Sequence, residues 1–552
     1  MKRLARRLSV ASLGLCVIAV AATVAVAAGL SSTGALRRHR TPDRYLGLVP
    51  AHRRLSFAFT LRMRTAALER YAAGVGNRRV PALSAGQIGA RFGIGSRTLS
   101  RLRQRLSAAG VDVIEAFPQR TELVVSASAE SAERLLGVSI GEYVDTDGRR
   151  YHRPLGTPAI PRSLRPAVTA ATGLDTRPIP VYADVPRSGL DAPDLVNLYD
   201  IRALIDEGLD GSGQTVAVYS QDTFRNSDIA AFDRQRGISG SPPIRRVEVD
   251  GPVPYQGGAA GAEVDVDLEI IQELAPKARI IDYEAPVGPN SFSVGIDRIV
   301  SDGQARLVNF SYGICEQLLT PRQAVISADN SFAAAAAAGV TVFAASGDQG
   351  AYACQRYDRA DHRLSVSWPG SSPNVVSVGG TYVDLRTDGT RLDELGWEDI
   401  LSQGGSGGGV SSMFPRPSWQ TGVAGIDNRY TTSPPRRQVP DVAAVASPAS
   451  GNSVYAGGGN TVVGGTSAAA PVWTGSFALI EELAELAIRR PLPFIAPLLY
   501  RAEARDPGAF YDITLGGNRY YRAGPGWDYS TGLGAPDMGR LAGDVIALAG
   551  GR

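Results

Sequence analysis

The chain has 552 residues, of which 44% are hydrophobic and 20% charged, so it is long enough for two folded units and too apolar to be disordered. Its net charge of +3 hides an uneven division: residues 1–188 carry 29 Lys and Arg against 12 Asp and Glu (+17), whereas residues 189–552 carry 28 against 42 (−14). The basic part lacks an aromatic-basic stripe or a nucleic-acid motif, which argues against a nucleic-acid partner and favours a basic domain covering an acidic one.

The first 30 residues have the pattern of an export signal. Four Lys and Arg among the first seven residues precede an apolar stretch from Leu8 to Leu30. Small residues at Ala25 to Ala27 offer a cleavage site, which predicts a signal peptide over residues 1–30 and a secreted protein. If it were left uncleaved, the same stretch would be long enough to anchor the protein in a membrane.

Residues 41–175 alternate between strand and helix patterns. Strands are predicted at 55–61, 111–116 and 121–125, and helices at 65–73, 98–109 and 129–136. This order predicts a compact α+β unit of the ferredoxin-like type. The Pro-rich segment 176–190 follows without apolar periodicity, which predicts an exposed linker and the site of proteolytic processing.

Residues 191–552 contain short apolar strands separated by helices. Strands are predicted at 215–219, 279–283, 307–310, 340–345 and 375–378, and helices at 263–274, 324–338 and 467–486. Continuous apolar strands joined by helices predict an α/β, doubly wound parallel sheet that is buried on both faces. In such sheets, functional side chains gather at the carboxyl ends of the strands.

Ser467 is the candidate nucleophile. Gly464 and Gly465 precede it and a long apolar helix follows, so a tight turn would place the hydroxyl at the helix amino end. Free N–H groups and the helix dipole favour developing negative charge there. An ordinary N-cap serine has the same local pattern, so this motif needs support from a proton acceptor.

The proton acceptor is predicted to be a carboxylate. Only one of the four histidines, His362, follows the linker, and it lies in a charged loop, so a Ser-His-Asp triad would depend on that residue alone. Glu263 and Asp267 are four residues apart on a predicted helix and would therefore share one face, with Asp265 pointing away. When partly buried, two such carboxyls hold a proton between them and can pass one to and from a hydroxyl. The alternative is a solvated acidic helix face.

Two further features lie near the predicted strand ends. Asp348 follows the strand predicted at 340–345 and, if protonated, could donate a hydrogen bond to the oxyanion of a tetrahedral intermediate; the alternative is an Asx turn. Once the signal is removed, only Cys315 and Cys354 remain in the chain. In an exported protein they predict one disulfide, and the alternative is two free thiols.

Three motifs carry a resemblance to a known family. They are, in chain order, Glu263-x-x-x-Asp267, Ser346-Gly347-Asp348 and Gly465-Thr466-Ser467-x-x-x-Pro471. Together they resemble the sedolisin (serine-carboxyl peptidase) family, in its kumamolisin-like form, over most of the chain. The resemblance implies a subtilisin-like catalytic domain over residues 191–552 and an activation prodomain over residues 41–175. It also implies that Ser467 is the nucleophile, Glu263 the general base and acid, Asp267 its orienting partner and Asp348 the oxyanion donor.

The same resemblance implies a calcium site near the end of the chain. Asp512 and Asp528 would bind Ca²⁺ through carboxylates, and Ile513, Gly524 and Gly526 through backbone carbonyls. With a water, these oxygens would form a hard-cation shell of about six ligands. Without the resemblance, Gly-rich turns that contain Asp are usually only turns.

The function predicted from the sequence is that of a secreted, acid-acting serine-carboxyl endopeptidase. It would be made as a self-processing zymogen, cleave proteins or peptides and form an acyl-enzyme on Ser467. Its own prodomain would inhibit it, and the protein would be a monomer. Residues 41–188 carry 22 Lys and Arg against 12 Asp and Glu, so a net +10 would hold this unit on the acidic domain until carboxylates are protonated at low pH. The alternatives are a tripeptidyl exopeptidase of the same family, an inactive homologue acting as a binding module, and a protease that uses His362.

Overall fold

The computed structural model describes residues 43–145, 148–177, 189–288, 291–319 and 322–550. The predicted signal peptide and residues 178–188 of the predicted processing linker lie outside the described residues. None of the helices in the described ranges is long and apolar enough to cross a membrane.

The first unit, up to residue 177, combines antiparallel strands with helices. The strands are β1 (Arg44–Leu48), β2 (Arg54–Leu61), β3 (Val111–Ala116), β4 (Glu122–Ser128), β5 (Ile140–Val144), β6 (Arg150–Pro154) and β7 (Val168–Thr172). The helices are α1 (Thr65–Gly76), α2 (Ala85–Phe92), α3 (Ser96–Ala108) and α4 (Ala129–Leu136). The main sheet has the order β3-β4-β2-β7, with antiparallel neighbours throughout. This is the predicted ferredoxin-like arrangement, in which two β-α-β units interlock.

The two faces of this sheet bury different surfaces. Leu55, Phe57 and Phe59 alternate along β2 and form the unit's own core with side chains from α3 and α4. Ala58 on the opposite face, with Val124 of β4, belongs to an apolar cluster supplied mainly by the second unit. The first unit is therefore docked through this face of its sheet and also through α1 and α2, whose Leu68 and Phe92 belong to the main core cluster of the second unit.

The second unit is built around a large sheet. Its strands are β8 (Thr215–Ser220), β9 (Arg245–Glu248), β10 (Arg279–Glu284), β11 (Leu307–Phe310), β12 (Ile314–Cys315), β13 (Thr341–Ala345), β14 (Ser367–Trp368), β15 (Val376–Leu385), β16 (Arg391–Gly396), β17 (Glu398–Asp399), β18 (Gly404–Gly405), β19 (Gly409–Pro415), β20 (Arg436–Val439), β21 (Val442–Val445), β22 (Asn452–Ala456), β23 (Gly459–Val463), β24 (Phe510–Tyr511) and β25 (Ala535–Pro536). Its helices are α5 (Ala192–Leu198), α6 (Arg202–Asp206), α7 (Asn226–Arg236), α8 (Gly258–Leu274), α9 (Ser291–Asp302), α10 (Arg322–Ala328), α11 (Asn330–Ala337), α12 (Thr466–Ile488), α13 (Ala496–Arg505) and α14 (Met538–Gly550).

The large sheet confirms the predicted fold class. Its order is β16-β15-β13-β11-β8-β10-β9, with β21 also paired to β15. All neighbours are parallel except the edge strand β16, which is antiparallel. Val216 and Val218 face the cluster that contains α8 and α12, whereas Ala217 and Tyr219 face the cluster that contains α9 and α11. Helices thus cover both faces, which is why these strands are apolar without alternation.

One predicted helix is divided in the structure. The single helix expected over 324–338 is present as α10 and α11, separated by Asp329. The carboxylate of Asp329 is buried and accepts hydrogen bonds from Trp368 Nε1 (2.9 Å), Ser372 Oγ (3.0 Å) and Asn374 Nδ2 (2.9 Å). These partners come from a distant segment, so helical periodicity alone could not predict the break.

Candidate active site

Ser467 lies in the first turn of α12. The chain enters this helix through Gly465, whose φ of +120° is a backbone conformation that residues with a side chain rarely adopt. At Gly464 a Cβ would lie 2.5 Å from Pro448 Cα, so both glycines are required by the tight turn. The Ser467 side chain is buried, and its hydroxyl donates a hydrogen bond to Glu263 Oε2 at 3.2 Å.

Glu263 and Asp267 lie one turn apart on α8, and both are almost fully buried, at 4% and 1% exposure. Asp267 Oδ1 accepts a hydrogen bond from Ser311 Oγ at 2.7 Å. Within the described part of the chain, Glu263 Oε1 and Asp267 Oδ2 have no hydrogen-bond partner. The alternative of a solvated acidic helix face is therefore wrong, because the side chains of α8 are buried by α12 and the sheet.

Burial controls the protonation of this pair. It raises the pKa of Glu263 to about 8, with a further rise from the nearby Asp348 charge and an opposing effect of the Ser467 hydrogen bond and the Arg356 charge. Burial and the charge of Glu263 raise the pKa of Asp267 well above its ordinary value. Two adjacent buried carboxyls cannot easily ionise together, so the pair retains protons and can exchange one with the Ser467 hydroxyl.

Asp348 lies beside the nucleophile, three residues beyond β13. Its Oδ1 accepts hydrogen bonds from Thr466 N (2.7 Å) and Thr466 Oγ1 (2.9 Å), which fixes the carboxyl group. A Cβ built on Gly465 would lie 3.2 Å from Asp348 Oδ2 and 3.0 Å from Ser467 Oγ. Asp348 Oδ2 and the hydroxyl thus approach the same face of Gly465, where an oxyanion formed on a Ser467 adduct would need a donor.

No histidine contacts Ser467 among the described residues. His362 is exposed, as predicted, and its Nδ1 lies 3.1 Å from Gln355 Nε2. His52 and His152 lie in the first unit, and His39 lies outside the described residues. The hydrogen-bond partner of the nucleophile is a carboxylate.

Two hydroxyl side chains at the site were not predicted from the sequence. Ser311 follows β11 directly and anchors Asp267, and Thr466 Oγ1 both donates to Asp348 and accepts from Gly347 N at 3.0 Å. The available signal for Ser311 was its place at the carboxyl end of a central parallel strand, where such sheets position functional groups.

The predicted disulfide is confirmed. Cys315 and Cys354 are bonded, with Cα atoms 5.1 Å apart. The bond ties the segment after β11 to the segment after Asp348, so it links two of the loops that form the site.

The predicted calcium ligands lie in one region. Gly526 N donates to Asp512 Oδ2 at 3.0 Å, and Gly524 N donates to Asp528 Oδ2 at 3.1 Å, so the two carboxylates flank one glycine loop. Burial raises the pKa of Asp528 to about 7. The described residues contain no cluster of three or more His, Cys, Asp or Glu that could hold a metal, so backbone carbonyls such as that of Ile513 would have to complete a shell. Carboxylate and carbonyl oxygens suit Ca²⁺, and the residues fit the ion in this sense.

The fold and the site define a class: a subtilisin-like serine peptidase in which a buried carboxyl pair lies where a proton acceptor is required. Sequence comparison agrees with this class. Residues 44–177 match the Pro-kumamolisin activation domain, and residues 257–489 match the Subtilase family. Kumamolisin of Bacillus sp. (strain MN-32) is 32% identical over 520 residues, which cover 89% of this chain and 91% of that protein. The chain belongs to the sedolisin family of serine-carboxyl peptidases and carries an N-terminal activation prodomain.

Two other relatives show how far the similarity extends. Tripeptidyl-peptidase 1 of Mus musculus is 29% identical and matches over 80% of this chain and 82% of its own length. The solved structure of Pseudomonas sedolisin, complexed with two molecules of pseudo-iodotyrostatin, is 27% identical with a TM-score of 0.56. That match covers 65% of this chain and 98% of the sedolisin chain, so the likeness to this structure covers the equivalent of a catalytic domain.

Proposed function

We propose that this protein is a secreted, acid-acting serine-carboxyl endopeptidase that is made as a self-processing zymogen. The observation that supports this most directly is the hydrogen bond from Ser467 Oγ to Glu263 Oε2, between side chains 204 positions apart in the chain. A hydroxyl at a helix amino end, a buried proton acceptor and a second carboxyl on the oxyanion side are the groups that acyl transfer needs.

In the proposed reaction, Ser467 Oγ attacks the carbonyl carbon of the scissile bond while its proton passes to Glu263. Asp267, held by Ser311, orients Glu263 and shares the proton. The oxyanion faces Asp348, which stabilises it by donating a hydrogen bond in its protonated form. Glu263 then protonates the leaving nitrogen, the C–N bond breaks, and an acyl-enzyme remains. Water repeats the sequence at the ester, releases the acid and restores the Ser467 hydroxyl.

The acid range follows from opposing protonation requirements. Glu263 must be ionised to accept a proton, and its raised pKa means that this form is gained as the pH rises. Asp348 donates only in its protonated form. Because one carboxyl must be ionised while another holds a proton, we propose a bell-shaped pH profile with its maximum below neutrality.

Calcium is part of this proposal. Asp512 and Asp528 would hold Ca²⁺ through carboxylates, with Ile513, Gly524 and Gly526 contributing carbonyls. The ion would favour the charged forms of both carboxylates and fix the loop between them, and no reaction step is assigned to it.

The decisive experiment compares wild type with Ser467→Ala for self-processing and for cleavage of an internally quenched peptide across pH. We expect Ser467→Ala to remain unprocessed and to lose about 10⁴-fold or more in kcat/KM. Unchanged processing and cleavage by the variant would instead support the inactive homologue that acts as a binding module. The variant His362→Ala tests the alternative of a histidine-dependent protease. The variant should remain active if the carboxyl pair accepts the proton, and should be inactive if His362 does.

A tripeptidyl exopeptidase is the second candidate, supported by the similarity to tripeptidyl-peptidase 1. Peptides with free and acetylated amino ends distinguish the two activities, because an exopeptidase must bind the free terminus. We expect cleavage of the acetylated peptide at an internal bond. Release of tripeptides from the free peptide alone would favour the exopeptidase.

A further inference from the structure

A cavity opens directly beside the proposed catalytic groups. It has a volume of about 100 Å³, and Asp348, Gly464 and Gly465 form its near end. These residues also surround the Ser467 hydroxyl and the expected oxyanion position. When a carbonyl carbon is bonded to Ser467 Oγ and its oxygen faces Asp348, the α-carbon that bears the side chain of the same residue is bonded directly to that carbonyl carbon. The cavity is therefore within reach of the residue on the acyl side of the scissile bond.

The far part of this cavity carries positive charge. Arg356 and Arg359 both line it, and Asp348 is the carboxyl group among the lining residues. The Arg356 charge also lowers the pKa of Glu263, so it lies close enough to act on the catalytic pair. Behind the lining, the Arg519 guanidinium donates from NH1 to the carbonyls of Gln349 (2.9 Å) and Gln403 (2.8 Å).

Arg356 is held by a rigid framework. It ends the short 3₁₀ helix Ala353–Arg356, which contains Cys354 of the disulfide to Cys315. Gln355 of the same turn is buried, and its amide lies 3.1 Å from His362. A disulfide bond and a buried turn therefore hold the backbone at Arg356 in place.

Two buried polar side chains of the lining have unused hydrogen-bonding atoms. Trp397 is 3% exposed, and its Nε1–H has no partner within the described residues. Its indole edge lies against Gly404, another lining residue, where a Cβ would be 3.2 Å from the ring. Gln355 is also 3% exposed, and its Oε1 has no partner in the same ranges; this atom is an acceptor, so a substrate backbone N–H could satisfy it but a carboxylate could not. A buried N–H without an acceptor is costly, and a ligand that brings an oxygen acceptor would remove this cost.

We propose that this cavity binds the side chain on the acyl side of the scissile bond and selects an acidic residue, with glutamate preferred over glutamine. The proposal rests on the proposed peptidase function and names its substrate class. A carboxylate supplies two acceptor oxygens for the Trp397 N–H and a charge for Arg356 and Arg359. Lysine and arginine at this position are disfavoured by the same two cations.

A preference for a charged glutamate side chain should depend on pH in a way that changes in the enzyme alone do not produce. A substrate Glu side chain has an ordinary pKa of about 4.3, so it is charged at pH 5.5 and largely neutral at pH 3.5. Protonation of the proposed catalytic groups changes the rate for all substrates together. The ratio of kcat/KM for Glu over Gln therefore isolates the substrate charge and should rise with pH across this interval.

The test uses the processed enzyme and acetylated, internally quenched peptides that differ in one residue, Glu, Gln, Leu or Arg, before a single cleavable bond. Mass spectrometry of the products identifies the bond that is cut. We expect a Glu-to-Gln ratio of about 10 at pH 5.5, which falls at least threefold by pH 3.5. Equal rates for Glu and Gln at pH 5.5, or a Glu preference found only after the cleaved bond, would overturn the proposal.

Variants locate the preference in the cavity. Arg356→Gln combined with Arg359→Gln should lower the Glu-to-Leu ratio about tenfold or more. Arg363→Gln is the matched control, because Arg363 lies in the same segment but does not line the cavity and is paired with Asp361. A double variant that keeps the wild-type ratio would contradict the proposal.

Failure of the peptidase function itself would be distinguishable from failure of this assignment. If no peptide is cut by wild type, the proposed function is wrong, and binding of the same four peptides, labelled with fluorescein and measured by polarisation, then tests the cavity. Tighter binding of the Glu peptide than of the Gln peptide at pH 5.5, lost in the double variant, would still support the cavity. Equal binding would overturn it.

Discussion

Two pairs of buried carboxyls in this protein look alike and serve different ends. Glu263 and Asp267 lie beside Ser467, whereas Glu122 of the prodomain and Asp297 of α9 meet at the interface between the two units. Burial raises the pKa of Glu263 to about 8, and burial together with the Asp297 charge raises that of Glu122 also to about 8. A raised carboxyl pKa therefore does not by itself mark a catalytic group.

The difference lies in the neighbours. At the interface, Glu122 Oε1 accepts hydrogen bonds from Ser293 Oγ (3.1 Å) and Thr60 Oγ1 (3.2 Å), and Gln119 Nε2 donates to Asp297 Oδ1 at 3.0 Å. Ser293 also lies in the first turn of a helix, but none of these interface residues lines the cavity beside Ser467. At the active site, the hydroxyl that contacts the carboxyl pair lies next to Gly465, which lines an open cavity. The comparison teaches that chemistry requires a nucleophile and access, which burial alone does not provide.

The largest effect should separate the two pairs directly. Glu263→Gln removes the proton acceptor, so we expect kcat/KM of the processed enzyme to fall about 10³-fold. Glu122→Gln is the matched control, because Glu122 leaves with the prodomain and cannot act in the processed enzyme. Peptide cleavage by the two variants, processed in trans by wild type, checks this. Similar losses of kcat/KM in both variants would contradict the assignment of a catalytic role to Glu263 but not to Glu122.

The next effect concerns the third carboxyl of the site. Asp348→Ala should lower kcat/KM about 10²- to 10³-fold, because the oxyanion loses a donor. Asp348→Asn keeps an acceptor for Thr466 and still offers an N–H donor, so activity should be partly retained. Peptide cleavage by the two variants measures this. Equal losses in Asp348→Ala and Asp348→Asn would argue against a donor role for this side chain.

A smaller effect concerns the pH dependence of docking. The docked pKa of Glu122, about 8, lies above its ordinary value of 4.5, so its contribution to stability is fully present below about 4.5 and is lost as pH rises towards 8. Glu122→Gln in the uncleavable Ser467→Ala zymogen should therefore reduce the change of the thermal unfolding midpoint with pH between pH 5 and 7.5. One proton corresponds to about a tenfold change in the unfolding equilibrium per pH unit. Scanning calorimetry across pH checks this.

The pH dependence of the Glu122 and Asp297 pair bears on how the prodomain is released. Because the Glu122 and Asp297 pair favours docking in acid, release of the prodomain at low pH must come from other contacts. Arg298 NH1 and Glu115 Oε1, 3.5 Å apart across the interface, and the opposite net charges of the two units weaken as carboxylates are protonated. An Arg298→Gln zymogen that activates at the same pH as wild type would argue against this pair as a contributor.

The smallest expected effect is on stability alone. Removing Ca²⁺ with a chelator should lower the thermal midpoint of the processed enzyme by several degrees, since an ion bound only to the folded state stabilises it by mass action. Asp528→Asn should abolish the response to added Ca²⁺ while Asp427→Asn, an exposed carboxyl paired with Arg416, should retain it. If the thermal midpoint of the wild-type enzyme does not depend on Ca²⁺, the proposed calcium site is wrong.

Much of the fold was predictable because its signals are local. The strands 111–116 and 307–310 and the helix 129–136 have the predicted bounds, since each is defined by apolar periodicity and flanking turn residues. The helix that carries Ser467 was also predicted closely, because two glycines precede a long apolar stretch. The single helix expected at 324–338 is present as two helices on either side of Asp329, which itself keeps a helical backbone, so the prediction missed only this interruption.

The residues to which we assign the proposed chemistry could be predicted from the chain alone, since the order of the Glu263, Asp348 and Ser467 motifs is a property of the sequence. Only the tertiary structure decided their distances, the anchoring of Asp267 by Ser311, the pairing of Glu122 with Asp297, and the meeting of Arg356 with Trp397 in one cavity. The physical reason is that periodicity, caps and turns act over a few residues. Burial and proton sharing, by contrast, depend on which distant surfaces pack together.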